Sequence, residues 1–361
     1  MKTWRIASLA AVAVLAAACS STAATPSSTP ASSAPASVAP ASVAPATATK
    51  GPADLNVGLV VKTFTNPYWV SLQKGAEAEA ARLGAKITSQ AASSETAIQE
   101  QTDKLTAMAG QNFNCFVVAP INATNMVNPL KTIAGKNIPI VNVDTAIDAA
   151  SLQSANITLL SFIASNNETA GKLDGAQMSK LLGGTGKVGV IGGLAGDPNS
   201  AARVKGFTEG ATGLTIVDPT TVAADWDAAK ALTAANTMLT ANPDIKGFFT
   251  ANDGMGLGVQ QAVDAKTLTG KVFVMGVDGD TAAFTSILAK KYAATVAQSP
   301  YAMGVMGVDA CLASLEGKTG IPAKVDSPTF LITADNAAAA QAAAPMPPAV
   351  YDNPFTALIG G

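Results

Sequence analysis

The 361-residue sequence contains no histidine. That single absence removes serine–histidine–aspartate and cysteine–histidine catalysis, imidazole metal ligation and histidine acid–base chemistry. Charge is sparse as well: charged residues make up 13% of the chain and aromatic residues 5%, and 23 Lys and Arg against 25 Asp and Glu leave a net charge of −2. No basic field exists to hold a nucleic-acid backbone. Cys19, Cys115 and Cys311 are too few for a disulfide framework, and none stands in a CxxC pair. Cys115 and Cys311 lie in apolar stretches and read as inert core thiols rather than nucleophiles. What the chain does have is apolar mass, 48% hydrophobic residues with much Gly and Ala, enough for about two domains.

Residues 1–18 read as a signal peptide. Lys2 and Arg5 precede an uncharged run, Ile6–Ala18, which is too short for a mature membrane-spanning helix. The run ends Leu15-Ala16-Ala17-Ala18-Cys19, which resembles a bacterial lipobox, with Ala16 where a large aliphatic residue is usual and Leu15 one place early. Lipidation of Cys19 is expected, the alternative being ordinary cleavage at an Ala-x-Ala site and a free secreted protein. Residues 19–53 then form a lipidated cysteine and a disordered tether. Ser20–Thr49 holds only Ala, Ser, Thr and Pro apart from Val38 and Val43, too little apolar surface to offset conformational entropy. The expected place is the extracytoplasmic face of a membrane, periplasm or cell surface.

From Asp54 onward apolar strands alternate with helices. Leu55–Val61, Cys115–Ala119, Ile138–Val143, Lys187–Ile191, Leu214–Val217, Gly247–Thr250 and Val272–Val277 read as buried strands. Tyr68–Leu83, Met126–Ala134, Thr169–Leu182, Ala201–Gly210, Ala228–Thr240 and Gly256–Ala265 read as helices. Continuous apolar strands between helices imply parallel sheets covered on both faces. So many units exceed one open sheet, which predicts two similar α/β lobes with ligands at the carboxyl ends of the strands. The run Gly183-Gly184-Thr185-Gly186-Lys187 has the look of a phosphate loop. However, Val188 stands where a magnesium-binding hydroxyl is needed, and a strand follows. Gly254-Met255-Gly256-Leu257-Gly258 lacks the dinucleotide spacing and reads as a tight turn with close helix packing, and Asp278-Gly279-Asp280 lacks the other ligands of a calcium loop.

Polar and aromatic residues cluster at the expected strand ends. Lys62, Asn66, Tyr68 and Trp69 follow the first strand, and Asp144 follows Ile140–Val143. Arg203 opens a helix, and Trp226 sits in Ala-Asp-Trp-Asp. Asn252 follows Phe248–Thr250, Asp278 follows Met275–Val277, and Gln298 ends Ala293–Ala297. Carboxylates, amides and a guanidinium can hydrogen-bond a polyhydroxyl compound while aromatic faces cover its C–H groups. Each residue also has a plain structural reading: Asn66 before Pro67 is a helix cap, the aromatics could be core, and the aspartates could be turn residues.

Together, Asn66-Pro67-Tyr68-Trp69-Val70, Ile138–Asp144, Ser200–Arg203, Ala224-Asp225-Trp226, Ala251-Asn252-Asp253, Gly276–Gly279 and Ala297–Pro300 resemble the periplasmic sugar-binding proteins of ABC importers, of the ribose-binding type. The resemblance covers about Asp54 to Asp335. It implies two Rossmann-like lobes joined by a three-segment hinge near Ser165, Gln298 and Pro328, closing on a monosaccharide. The first lobe would be 54–165 plus 299–328 and the second 166–298 plus 329–361. It further implies hydroxyl binding by Asn66, Asp144, Arg203, Asn252, Asp278 and Gln298, with Tyr68 or Trp69 and Trp226 sandwiching the ligand. Two positions depart from the ribose binder: Thr145 replaces an arginine, and Lys62 replaces a small polar residue. Both resemble the branch that takes fructose or sugar alcohols, so a ketose or short polyol is expected at Lys62 and Thr145. The related gene repressors fit poorly beside a tether and no helix-turn-helix. The expectation is therefore a tethered, monomeric receptor that serves a membrane permease without cofactor or metal. A receptor for a signal such as a quorum-sensing furanose, or a secreted sugar enzyme, are the alternatives.

Overall fold

The computed structural model describes residues 51–217 and 222–360. The expected signal peptide, Cys19 and the tether up to Lys50 lie outside them. After a short turn the chain runs β1 (Asn56–Thr63), α1 (Pro67–Leu83), β2 (Lys86–Ala92), α2 (Ile98–Ala109), β3 (Cys115–Val118), α3 (Val127–Ala134), β4 (Ile140–Val143), α4 (Ala149–Ser154) and β5 (Ser161–Ser165). It continues α5 (Asn167–Leu182), β6 (Gly186–Gly192), α6 (Pro198–Gly210), β7 (Leu214–Ile216), β8 (Val222–Ala223), α7 (Ala228–Ala241), β9 (Ile245–Thr250), α8 (Asp253–Ala265), β10 (Phe273–Asp278), α9 (Thr281–Leu288) and β11 (Ala294–Ala297). Then come α10 (Pro300–Leu315), β12 (Lys324–Ser327), β13 (Phe330–Ile332), α11 (Ala337–Ala343) and α12 (Thr356–Ile359).

Two sheets result. The first, in the order β12-β5-β4-β3-β1-β2, is parallel throughout. The second runs β13-β11-β10-β9-β6-β7 with β8 also on β6, and its edge pair β11–β13 is antiparallel. The expected pair of α/β lobes is what the chain forms. Burial on both faces explains the unbroken apolar strands. In β1, Leu59 and Val61 face α1 and α10 (Leu72, Ala76, Met303, Met306), while Val60 faces Leu105, Met108 and Ile133 on the other side. In β9, Phe248 joins Met238 and Val259, while Phe249 stacks on Phe207 at 4.3 Å between ring centroids. The glycine run 183–186 stops α5: Gly183 and Gly184 have φ of 65° and 74°, a left-handed backbone that glycine adopts without steric cost.

The chain changes sheets after Ser165, through Gln298-Ser299 and at Pro328. The Ser299 hydroxyl donates to the Pro328 carbonyl at 3.0 Å, tying two of these passages together. Two expectations are corrected. Cys115 and Cys311 are not free thiols: they form a disulfide with a Cα separation of 5.8 Å across 196 residues. Packing of α10 on β3 brings them together, a proximity that their distance in sequence conceals. Nor does 329–361 stay with the second lobe. After α11 packs on α9, the chain returns to the first lobe, where Phe355 is fully buried among Tyr351, Leu358 and Ile359. Asn353 anchors the return by donating to Asp309 at 2.7 Å.

Candidate functional site: a polar cavity between the lobes

The carboxyl ends of both sheets converge on one polar cavity between the lobes. Lys62 stands near the end of β1. Asn66 caps α1, accepting from Tyr68 N at 3.0 Å, with Pro67 at the first helical position. Asp144 follows β4, Asn252 caps α8 after β9, Asp278 ends β10, and Gln298 follows β11. Trp226 comes from the β8–α7 connection. Arg203 lies in the second turn of α6 rather than at its start, because Asp197 caps that helix three residues earlier than expected. Asp144, Trp226 and Asp278 have φ of 60°, 62° and 137°. Such backbone costs about 1–3 kcal/mol per residue and persists where surrounding contacts enforce it.

In the first lobe Asp144 is the hub. Its Oδ2 accepts from the Tyr68 hydroxyl at 2.7 Å, and its Oδ1 accepts from Thr145 Oγ1 at 2.8 Å and Asn199 Nδ2 at 2.9 Å. Burial and the neighbouring Asp144 carboxylate push the Tyr68 hydroxyl well above the ordinary tyrosine range, so it remains a donor. Thr145 is fully buried and does not line the cavity, so it acts on Asp144 and not on the space beyond it. Glu95 joins the lining, its Oε1 accepting from Asn66 Nδ2 and Trp69 Nε1, both at 2.9 Å. Lys62 Nζ lies 3.1 Å from Asp197 Oδ2. Burial disfavours its charge, but Asp197, Glu95 and Asp144 outweigh that effect and hold it above the usual lysine range.

In the second lobe Arg203 is fixed from three sides. It donates to Asn167 Oδ1 at 2.7 Å, to the Ala251 carbonyl at 2.7 Å and to Asp278 Oδ1 at 3.2 Å. Gln298 Nε2 also donates to Asp278 Oδ1, at 2.7 Å. Asp278 Oδ2 accepts from no side chain or amide among the described residues, and Asp278 lines the cavity. Burial pushes this carboxyl up, against the pull of Arg203. Trp226 lies flat on Gly193: a Cβ there would come within 2.4 Å of the ring, so only glycine admits it. Trp69 and Trp226 bracket Lys62, whose Nζ is 5.5 and 5.9 Å from their centroids. Ten of the eleven expected site residues thus line the cavity, Thr145 being the exception. Glu95 and Asn199 escaped sequence reasoning. Glu95 sits in an ordinary Ser-Ser-Glu-Thr loop, and Asn199 reads as a helix-start residue.

Beneath this cavity Asp253 accepts from the Gly279 and Asp280 amides and the Thr295 hydroxyl, yet burial pushes it up to about 6. In the first lobe burial pushes Asp309 up to about 7. The folded protein therefore holds protons that the unfolded chain releases near pH 4, so this stability is present at low pH and lost as pH rises through about 6–7. The unliganded protein is expected to melt at a higher temperature near pH 5 than near pH 8. Thermal denaturation across that range checks it, and a melting temperature that rises with pH would contradict it.

Two parallel-sheet lobes, repeatedly cross-connected and facing each other across a cavity of hydroxyl-matching groups, define a cleft receptor for a small solute. No group of metal-ligating side chains occurs among the described residues. The chain belongs to the periplasmic binding protein domain family, which it matches over residues 57–319. It is 36% identical over 265 residues to the D-allose-binding periplasmic protein of Escherichia coli K12, covering 72% of this chain and 85% of that protein. It is 30% identical over 267 residues to the ribose import binding protein of Bacillus subtilis 168, covering 73% and 83%. Among solved structures it resembles an ABC transporter periplasmic solute-binding protein from Actinobacillus succinogenes 130z with bound D-allose. That match has a TM-score of 0.74 and 25% identity, and covers 79% of this chain and 99% of the other. These relatives are transport receptors, not enzymes, and they fit the importer expectation better than a quorum-sensing one.

Proposed function

We propose that this chain is the extracytoplasmic receptor of an ABC importer, capturing a neutral monosaccharide between its lobes and delivering it to a permease. The observation that carries this reading is the state of charge in the cavity. Lys62 is paired with Asp197, Arg203 with Asp278, Glu95 with Asn66 and Trp69, and Asp144 with Tyr68 and Asn199. Each cation lining the cavity already faces a carboxylate, and among the described lining residues carboxylates (Glu95, Asp144, Asp278) outnumber basic groups (Lys62, Arg203). What is left is hydroxyl recognition. Asp278 Oδ2 and Asp144 accept ligand hydroxyls, Asn66, Asn252, Gln298, Arg203 and Lys62 complete them, and the Trp69 and Trp226 faces cover C–H surface with Tyr68 behind.

Similarity to the allose and ribose binders supports an aldose in ring form, with D-allose first among candidates. A ketose or short polyol is the second reading. It rests on Thr145, where no arginine fork is available, but Lys62 offers it less support because one of its donors is engaged by Asp197. A thermal-shift panel of D-allose, D-ribose, D-fructose, xylitol, erythritol, glucuronate and ribose 5-phosphate tests the reading. A neutral ligand at 100 times its Kd adds about 2.7 kcal/mol. At least one neutral sugar should raise the melting temperature and the two anions should not; a response to the anions alone would reverse the assignment.

We further infer that the receptor works as a monomer anchored through lipidated Cys19, with 19–53 as its tether. Wild type should partition into membrane fractions and Cys19→Ala should not. Equal release of both into the medium would contradict the anchor.

A further inference from the structure

We propose that Asp197 is a positioning residue that makes lobe closure depend on bound sugar, through an ion pair across the cavity to Lys62; this rests on the sugar-receptor reading above. Lys62 belongs to β1 of the first lobe, and Asp197 caps α6 of the second. Their side chains are 3% and 0% exposed and 3.1 Å apart. Asp197 Oδ1 accepts from the backbone N–H groups of Asn199 at 2.8 Å and Ser200 at 3.0 Å, which leaves Oδ2 aimed at Lys62. Two residues further along, Asn199 donates to Asp144 across the same gap at 2.9 Å. The first turn of α6 thus makes two links to strand ends of the opposite lobe, and both exist only when the lobes are together.

Burying two charges is costly, and a lone contact between them seldom offsets the loss of hydration. Lys62 has three N–H donors, of which Asp197 takes one, and its ammonium lines the cavity. A ligand hydroxyl oxygen beside Trp69 and Trp226 satisfies another. The empty closed form therefore leaves the ammonium under-satisfied, and the filled one completes it. Lys62 reads the ligand and Asp197 reads Lys62. Asp197 does not itself line the cavity, so its effect on binding runs through that pair.

The test is stopped-flow tryptophan fluorescence on the full chain, with D-allose or whichever panel sugar binds wild type tightest. Wild type is compared with Asp197→Asn, Asp197→Ser, Lys62→Met and the Lys62→Met/Asp197→Asn double variant. Asparagine and serine both keep the helix cap, so α6 is retained. Each Asp197 variant should raise Kd about tenfold, through faster dissociation with association changed less than about twofold. The double variant should bind no more weakly than Lys62→Met alone, because the two residues act as one unit. Unchanged Kd in the Asp197 variants, effects that multiply in the double variant, or a loss confined to one of the two caps would overturn the proposal. Wild type that binds no panel sugar would overturn the receptor reading and this inference with it, whereas sugar-binding wild type with independent Lys62 and Asp197 effects would overturn this inference alone.

Discussion

The Asp278→Asn protein is expected to bind its sugar about a hundredfold more weakly than wild type, close to 3 kcal/mol, the upper range for a hydrogen bond to a charged group. Asp278, like Glu95, is a cavity carboxylate with one oxygen committed, here to Arg203 and Gln298, and the other without a protein partner among the described residues. Asparagine preserves the size of the aspartate it replaces. The loss is therefore one of charge and acceptor, not of shape. It also leaves the Arg203 guanidinium, buried at 3% exposure, without its carboxylate. Titration calorimetry of both proteins measures the difference, and equal affinities would remove Asp278 from the site.

Stability, rather than affinity, should suffer when the disulfide is lost. The bond closes a separation of 196 residues, for which chain entropy alone gives about 5 kcal/mol; removing native disulfides from secreted domains costs about 2–5 kcal/mol. The stapled elements explain why this bond matters. Strand β3 belongs to the first pass of the chain through the first lobe, and α10 belongs to the second pass, after the excursion through the other lobe. Cys115→Ala/Cys311→Ala is expected to lower the unfolding free energy from a denaturant titration by an amount in that range, moving its midpoint down, while the sugar Kd stays within about twofold, since neither cysteine lines the cavity. A midpoint equal to that of wild type would show that core packing alone holds α10 on β3.

How far the sequence revealed this molecule depended on whether a signal was local. The central strands were legible because burial on both faces makes them continuously apolar, as in Val57–Val61 and Cys115–Val118. Strand β2 was missed for the same reason inverted: Lys86-Ile87-Thr88-Ser89-Gln90 lies at a sheet edge and is largely half-exposed. At the site, Asn66, Asp144, Asn252 and Asp278 were legible because a polar residue ending an apolar strand has few other reasons to be there. Glu95, Asp197 and Asn199 were not, because their roles depend on partners 26, 135 and 55 residues away. Thr145 was over-read as a ligand residue: its neighbour Asp144 consumes its hydroxyl. The Cys115–Cys311 bond and the return of Phe355 to the first lobe failed to show for the same cause, since both arise where helix α10 packs.

The central claim is that the cavity between the lobes takes one neutral sugar. Titration calorimetry of the wild-type protein with D-allose, D-ribose and D-fructose, repeated on Trp226→Ala, tests it most directly. The account expects one-to-one binding of at least one of these sugars. It also expects a loss of roughly 1.5–3 kcal/mol in Trp226→Ala from removal of the buried ring face, with the melting temperature of the unliganded protein little changed. No binding of any of the three by wild type, or undiminished binding in Trp226→Ala, would contradict it.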